Sequence, residues 1–270
     1  MNTPVDKPGH ISIRGLRIRL GEGGQAFDAI RDIDLEIAAG SFVCVLGPSG
    51  CGKSTLLGAL AGHLSKASGE ILLDGAPIDG PHPDRGLVFQ QHTLFPWLRL
   101  LDNVAFGPKM RGLGKAERRA QAIEALNLVG LREFADYYPA QLSGGMQQRG
   151  EIARVLINRP RVLLMDEPYG ALDAQTRAQM QGQLLSAWNQ VRTTVVFVTH
   201  DIDEAIFLAD RVVVMSARPG RVIADLPVTF ERPRAPDLVT DPAFIAQKRQ
   251  CLDLLSAQTS LDRLTPLGVP

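Results

Sequence analysis

The sequence predicts an α/β protein: a strand-rich core with an antiparallel β-subdomain, interrupted by a helical insert of about 70 residues and then resumed. Three observations predict it. Residues 11–20 and 33–37 alternate apolar with polar, as half-buried antiparallel strands do. Residues 42–46, 162–165 and 195–199 are short continuous apolar runs, the pattern of strands covered on both faces. From about residue 117 to 158 the apolar positions Ile123, Leu126, Leu128, Ile152, Val155 and Leu156 recur at helical spacing.

The remaining elements follow in chain order. The run 42–46 breaks at Gly47-Pro48 into a glycine-rich loop and turns helical from Lys53 to about Ala61. Residues 71–73 and 86–89 read as further strands, the first followed by an Asp74-Gly75 turn. A helix is expected over residues 176–188. After Pro219-Gly220, prolines 227, 233, 236 and 242 lead to a short terminal helix over residues 242–255. Residues 1–89 and 160–225 are thus expected to form the α/β core with its β-subdomain, and 90–159 the helical insert. Residues 226–270 are expected to form a C-terminal tail, too short for an independent regulatory domain.

Composition excludes several classes. With 270 residues, 45% hydrophobic and 21% charged, the chain is of ordinary globular make-up. A chain this long buries roughly 70–75% of its unfolded surface, so it needs no disulfide or metal staple. Its 29 basic residues match 29 acidic ones, which argues against a nucleic-acid partner. Cys44, Cys51 and Cys251 are odd in number and form no CxxC pair, which favours a reducing compartment. Residues 1–10 are polar and proline-rich, unlike a secretory signal. No apolar run approaches the roughly 20 residues of a membrane helix, so any membrane role is expected to be peripheral.

Residues 47–54, Gly47-Pro48-Ser49-Gly50-Cys51-Gly52-Lys53-Ser54, match G-x-x-x-x-G-K-[ST]. Glycines let the backbone curl so that successive N–H groups face phosphate oxygens, and the helix that begins there adds its positive end. Lys53 can reach the β- and γ-phosphates, and the Ser54 hydroxyl can ligate Mg²⁺. The alternative, a plain glycine-rich turn, does not account for the placement between a buried strand and a helix. Cys51 either is there because a small residue fits the loop's tight path or, beside Lys53 at a helix N-terminus, is a thiol that a small reagent is expected to reach and a bound polyphosphate to protect.

The strand at 162–165 runs into Asp166 and Glu167. A rigid strand end holds Asp166 where it can bind Mg²⁺, while Glu167 can polarise an attacking water. A helix cap at a strand–loop junction is the bland alternative, weakened by the phosphate loop in the same chain. Asp173, just beyond, is expected to cap the following helix, to reach across a subunit boundary, or both. Leu142-Ser143-Gly144-Gly145-Met146-Gln147-Gln148-Arg149 opens another helix on Ser-Gly-Gly, a second anion site by its free N–H groups and hydroxyl. Two phosphate-binding helix starts with one lysine loop make sense if the second serves a nucleotide held by another copy.

With the strings LSGGMQQR, VLLMDEP, GALD and VTHD in order after the phosphate loop, residues 10–250 resemble the ATPase subunit of an ATP-binding-cassette (ABC) transporter. Finer strings, such as "VFQQHTLFPWLRLLDNVAFG" and "THDIDEAIFLADRVVVMSARPGRV", are similar to the importer branch for nitrate, taurine, alkanesulfonates and bicarbonate. The resemblance implies a P-loop NTPase core of the ABC ATPase fold, with ATP and Mg²⁺ as cofactors. It places Gln90 in the Q-loop as a magnesium or water contact, and His200 as the switch histidine at the γ-phosphate. Residues 47–54 and Thr55 would bind the nucleotide, with Ser54, Gln90 and Asp166 around the metal. Ser143, Gly144, Gly145 and Gln147 would face the γ-phosphate of the opposing protomer, and Asp173 would belong to the dimer D-loop. The implied partners are a second ATPase subunit, integral membrane permease subunits and, indirectly, a periplasmic solute-binding protein. The implied location is the cytoplasmic face of the inner membrane.

There are departures. The family's adenine-stacking aromatic falls near Leu20, which cannot stack; Phe27 is the nearest candidate, with core packing as its alternative. Gly150 and Val155 replace the usual valine and alanine after the signature, and Gly150 costs the helix about 1 kcal/mol. The apolar stretch 93–98 either packs inside the insert or forms an exposed groove for a short permease helix. Arg111, Arg118 and Arg119 read as a solvated helix face. A GTPase or kinase switch is disfavoured by the lack of an NKxD-like motif, and a cassette acting on ribosomes or DNA by the lack of a paired cassette or coiled-coil insert.

Overall fold

Strand β1 (Ile11–Leu20) opens the computed structural model, which describes residues 8–170 and 172–264, with side chains through residue 257. Its period-two pattern slips between Ile13 and Leu16, where Gly15 at φ +53 bulges and its N–H donates to Asp34 Oδ1 at 2.7 Å. The bulge is what keeps Ile11, Ile13, Leu16 and Ile18 all buried. β2 (Phe27–Ile37) begins six residues before the expected strand, because Ala29 and Ile30 are both buried and break the alternation there. Then come β3 (Phe42–Leu46), α1 (Lys53–Ala61), β4 (Ser68–Leu73), the two-residue β5 (Ala76–Pro77) and β6 (Arg85–Val88).

The helical stretch resolves into α2 (Leu100–Val104), α3 (Phe106–Met110), α4 (Lys115–Leu128) and α5 (Gly144–Leu156). β7 (Val162–Asp166), α6 (Ala174–Val191) and β8 (Thr194–Thr199) follow. α7 (Ile202–Leu208), β9 (Arg211–Met215) and β10 (Val222–Pro227) have no counterpart among the expected elements. α8 (Pro242–Leu264) runs beyond the expected end at residue 255. Residues 1–7, Ala171 and 265–270, which carry the start, part of GALD and the end of the tail, lie outside the described residues.

The chain groups into two compact units, each with its own core. One comprises His82–Val195 with Pro8, the other Gly9–Pro81 and Val196 onward. This grouping differs from the expected boundaries at 89/90 and 159/160, since β6, β7 and α6 go with the helices. In the first unit β6 and β7 pair in parallel, Gly86 opposite Leu163 and Val88 opposite Met165. Gly86 lies under α5: a Cβ there would stand 2.3 Å from Val155 Cγ1.

In the second unit β2, β1, β4 and β5 form an antiparallel sheet in that order. β3 pairs in parallel with β9, and β10 pairs antiparallel with β9. β3 is buried at every residue, each large side chain contributing about 1.5–3 kcal/mol of burial. Two arginines tie the tail to α7. Arg234 Nη1 donates to the carbonyls of Ile206, Phe207 and Ala209, and Arg232 Nη2 to that of Leu208, satisfying the helix's terminal acceptors. Among the described residues no helix is long and apolar enough to cross a membrane.

Candidate active site

In the second unit, β3 delivers the chain to residues 47–54 from a fully buried strand. Gly52 is the N-cap of α1 at φ +99, where a Cβ would lie 2.9 Å from the Ala29 carbonyl oxygen. Only glycine fits that backbone. Among the described residues no side chain caps α1, so no capping oxygen offsets the positive end of the helix. Lys53 is 4% exposed, and its Nζ donates to the carbonyls of Gly47 at 2.8 Å and Pro48 at 3.0 Å. The ammonium therefore lies inside the curl of its own loop. Pro48, Ser49, Gly50 and Ser54 are exposed and Thr55 half-buried. A curled backbone, an uncapped helix start and an enclosed ammonium fit a polyphosphate, and the exposed Ser54 hydroxyl is a hard oxygen donor of the kind Mg²⁺ takes.

The expected reach of reagents to Cys51 is corrected. Its side chain is 1% exposed, with Sγ 2.8 Å from where a Cβ of Gly47 would stand. The loop shows its backbone to the anion side and turns this thiol inward. Any part Cys51 plays at the phosphates is through its main chain.

His200 is exposed at the end of β8, on a backbone that its neighbours fix. Thr199 Oγ1 donates to the buried Glu204 carboxylate at 2.5 Å and accepts from Asp201 N at 3.0 Å. Asp201 caps α7 by accepting from Glu204 N at 3.1 Å. The sequence signal for this brace, Asp201 three residues before Glu204, was available as a capping-box pattern. Phe27 is 43% exposed, so it is not core; the guanidinium of Arg218 lies over its ring at 5.5 Å.

In the first unit, β7 is buried until Asp166 and Glu167, which are half-buried. Glu167 has φ +43, a left-handed conformation that a non-glycine residue adopts at a cost of about 1–3 kcal/mol. Gln90, exposed beyond β6, converges on it. Gln90 Nε2 and Glu167 Oε2 both lie 3.9 Å from the position a Cβ on Gly170 would take. Asp173 caps α6, accepting from Thr176 N at 3.0 Å, and the Thr176 hydroxyl together with that N–H holds its carboxyl below the usual range. The expected capping role is therefore present.

The signature helix α5 starts on Ser143, whose Oγ accepts from Met146 N at 3.3 Å and which is exposed. Gly144 lies near His92 and Leu172: a Cβ would be 3.6 Å from His92 Nε2. Gly145 is buried against α6, its missing Cβ position 3.3 Å from Thr176 Cγ2. Gln147 Nε2 donates to the carbonyls of Pro139 and Leu142, holding the loop that precedes the helix. Sequence reasoning missed a joint behind Gln90: Thr93 N donates to Glu151 Oε1, and Arg154 Nη1 donates to the Thr93 carbonyl at 2.7 Å. Burial pushes the Glu151 carboxyl up, against the opposing pull of the Thr93 N–H, Arg154 and His92. No motif flags these residues, because Thr93 meets α5 only through the fold.

Residues 30–170 match the ABC transporter family, and the chain belongs to it. It is an ATP-hydrolysing subunit of the importer type, an ABC ATPase that uses ATP with Mg²⁺. A putative ATP-binding protein of Brucella abortus is 50% identical over 236 residues, covering 87% of this chain and 89% of that protein. The taurine import ATP-binding protein TauB of Pseudomonas aeruginosa is 46% identical over 248 residues, 90% of this chain and 94% of its own. The dimeric cassette MJ0796, solved in a post-hydrolysis state with ADP and Pi, superposes with TM-score 0.71 at 32% identity, over 82% of this chain and 100% of that one. The cbiO1 chain from Clostridium perfringens, part of the transporter complex cbiONQ, gives TM-score 0.74 at 29% identity over 93% and 98%.

Proposed function

We propose that two copies of this chain close on two ATP molecules and, by closing and reopening, drive solute import through separate permease subunits at the cytoplasmic face of the membrane. The observation that supports this reading is the convergence of Gln90 and Glu167 over Gly170, where a loop that follows a partner would meet a carboxylate that polarises water. Glu167 acts as general base, and Gln90, Asp166 and Ser54 are the groups that hold Mg²⁺. Bound Mg²⁺ supplies charge neutralisation at the phosphates. Residues 47–55 bind the polyphosphate, Phe27 stacks on the base, and His200 contacts the γ-phosphate. Ser143, with Gly144, Gly145 and Gln147, serves the opposing protomer, near Asp173.

Residues 90–159 form the signature subdomain of this reading, and its surface supports a permease partner. A groove of about 600 Å³ is lined by Phe89, Phe95, Phe106, Met110, Arg111 and Val155, among others. Trp97, 71% exposed, stacks on Phe95 beside it. An apolar groove next to the Gln90 loop suits a short amphipathic helix. The solute falls among nitrate, taurine, other sulfonates and bicarbonate; the name of the Pseudomonas relative supports the sulfonates. A periplasmic solute-binding protein is the indirect partner. Glu167→Gln tests the core of the proposal. It should retain ATP binding, lower turnover by roughly 10²–10⁴ and accumulate an ATP-bound dimer. Near-normal turnover would refute the assignment.

A further inference from the structure

The loop between β9 and β10 is firmly held, with Ser216 and Gly220 buried and Arg218 exposed. Ser216 N donates to the Arg221 carbonyl at 2.9 Å, and Ser216 Oγ accepts from Arg221 N at 3.0 Å. Gly220 N donates to the Ala29 carbonyl, and Arg31 N donates to that of Gly220, at 2.9 and 3.0 Å. A Cβ on Gly220 would lie 2.1 Å from the Cys51 carbonyl oxygen, so this loop is seated directly on the phosphate loop and on the start of β2.

From that seat rises Arg218. Arg17, Arg31, Arg211, Arg221 and Arg232 of the same unit face carboxylates. Arg218 instead donates from Nε to the Gly50 carbonyl at 2.9 Å and lays its guanidinium over the Phe27 ring. One side chain thus links the phosphate loop to the exposed aromatic. Anchored at Gly50, the cation fixes the orientation of a residue that stays 43% exposed with the arginine in place, and it draws electron density toward one face of the ring.

We propose that Arg218 is a positioning residue for the nucleotide base: it backs the Phe27 ring so that the adenine of ATP stacks on the ring's open surface. The proposal rests on the reading of Phe27 as the stacking platform. It makes a demand that an ordinary structural arginine would not meet. The contribution of Arg218 must depend on the presence of a base and must vanish when the ring is removed.

The test measures dissociation constants of ATP and of inorganic tripolyphosphate by calorimetry in EDTA, on the full chain and on Arg218→Ala, Phe27→Ala and the double variant. Arg218→Ala should weaken ATP about 2–5-fold and leave tripolyphosphate unchanged. Phe27→Ala should weaken ATP about tenfold. On the Phe27→Ala background, removing Arg218 should cost nothing further. Arg218→Gln, uncharged and of similar reach, should repeat the alanine result with an unaltered melting temperature. Equal loss for ATP and tripolyphosphate, additive losses in the double variant, or no loss with Arg218→Ala would each overturn the proposal. An ATP affinity untouched by Phe27→Ala would overturn the platform itself.

Discussion

Gln90 Nε2 and Glu167 Oε2 stand at the same distance, 3.9 Å, from the empty Cβ position of Gly170. They come from the ends of β6 and β7, which pair in parallel, so the sheet register delivers both side chains to one spot. A Cβ alone would make ordinary contact there, but a branched side chain would intrude between amide and carboxylate. Gly170→Ala is therefore expected to hydrolyse ATP near the wild-type rate. Gly170→Val should lose roughly 10²-fold in kcat. Gly170 is exposed, so the melting temperature of both should stay within about 2 °C of wild type. Equal steady-state rates for the two variants would show that the space is not used.

Much of this site was legible in the sequence because its geometry is local. The loop at residues 47–54 and the helix from Lys53 to Ala61 follow from glycine spacing and a buried strand, and α1 has those bounds. The caps at Ser143 and Asp173 also read directly. What stayed hidden depends on contacts between distant segments. Val155 makes sense only opposite Gly86, and Gly150 only opposite the start of α2 and the segment before it, where a Cβ would lie 2.7 Å from Leu100 Cδ1 and 3.4 Å from Leu94 Cδ1. Phe27 was uncertain because a bulged β1 and an extended β2 place it at a rim that neither alternation pattern foretells. Cys51 was misjudged because sequence gives a residue's place in a loop, not the side to which it points.

The Gly150 contact yields a stability prediction. Alanine would gain about 1 kcal/mol of helix propensity. Leu100 is fully buried, however, so its methyl cannot move away without disturbing the core. Overpacking of this kind costs about 1–3 kcal/mol, and the net effect of Gly150→Ala should be destabilising by up to about 2 kcal/mol. Valine should be worse. Urea melts of both, and of Gly150→Ala with Leu100→Ala, decide the matter: the second substitution should abolish the propensity-opposing term. A more stable single alanine variant would contradict the contact.

The thiols give a third expectation, opposite to the one based on loop position. Cys44, Cys51 and Cys251 are all buried. Burial pushes the Cys44 thiol well above its ordinary range, and the Cys251 thiol up to about 11. Thiolate is the reactive form, so a maleimide at neutral pH should label none of the three on the minutes scale in the native protein. All three should react in denaturant. Stoichiometric labelling of Cys51 without denaturant, read by peptide mass, would mean that the phosphate loop opens far more than its packing on Gly220 allows.

Glu151 provides the pH dependence. It is 1% exposed; Oε1 serves the Thr93 N–H, while Oε2 has no hydrogen-bond partner among the described residues. A carboxyl whose folded pKa is raised binds its proton more tightly in the native state than in the unfolded one. Its contribution is therefore least costly at low pH, and the native state loses ground as pH rises through the interval between the two pKa values. Glu151→Gln keeps an acceptor for Thr93 and removes the charge. It should melt about 2 °C above wild type at neutral pH, with the gap closing as pH falls below the ordinary glutamate range, where the wild-type carboxyl is protonated in both states. Glu151→Ala should instead fall below wild type at every pH, since the Thr93 N–H then loses its partner. Because Thr93 follows Gln90 by three residues, the alanine variant should also lower kcat while the glutamine variant retains it. A glutamine variant that melts below wild type at neutral pH would show that Arg154 and His92 outweigh burial, and that the charge stabilises the joint.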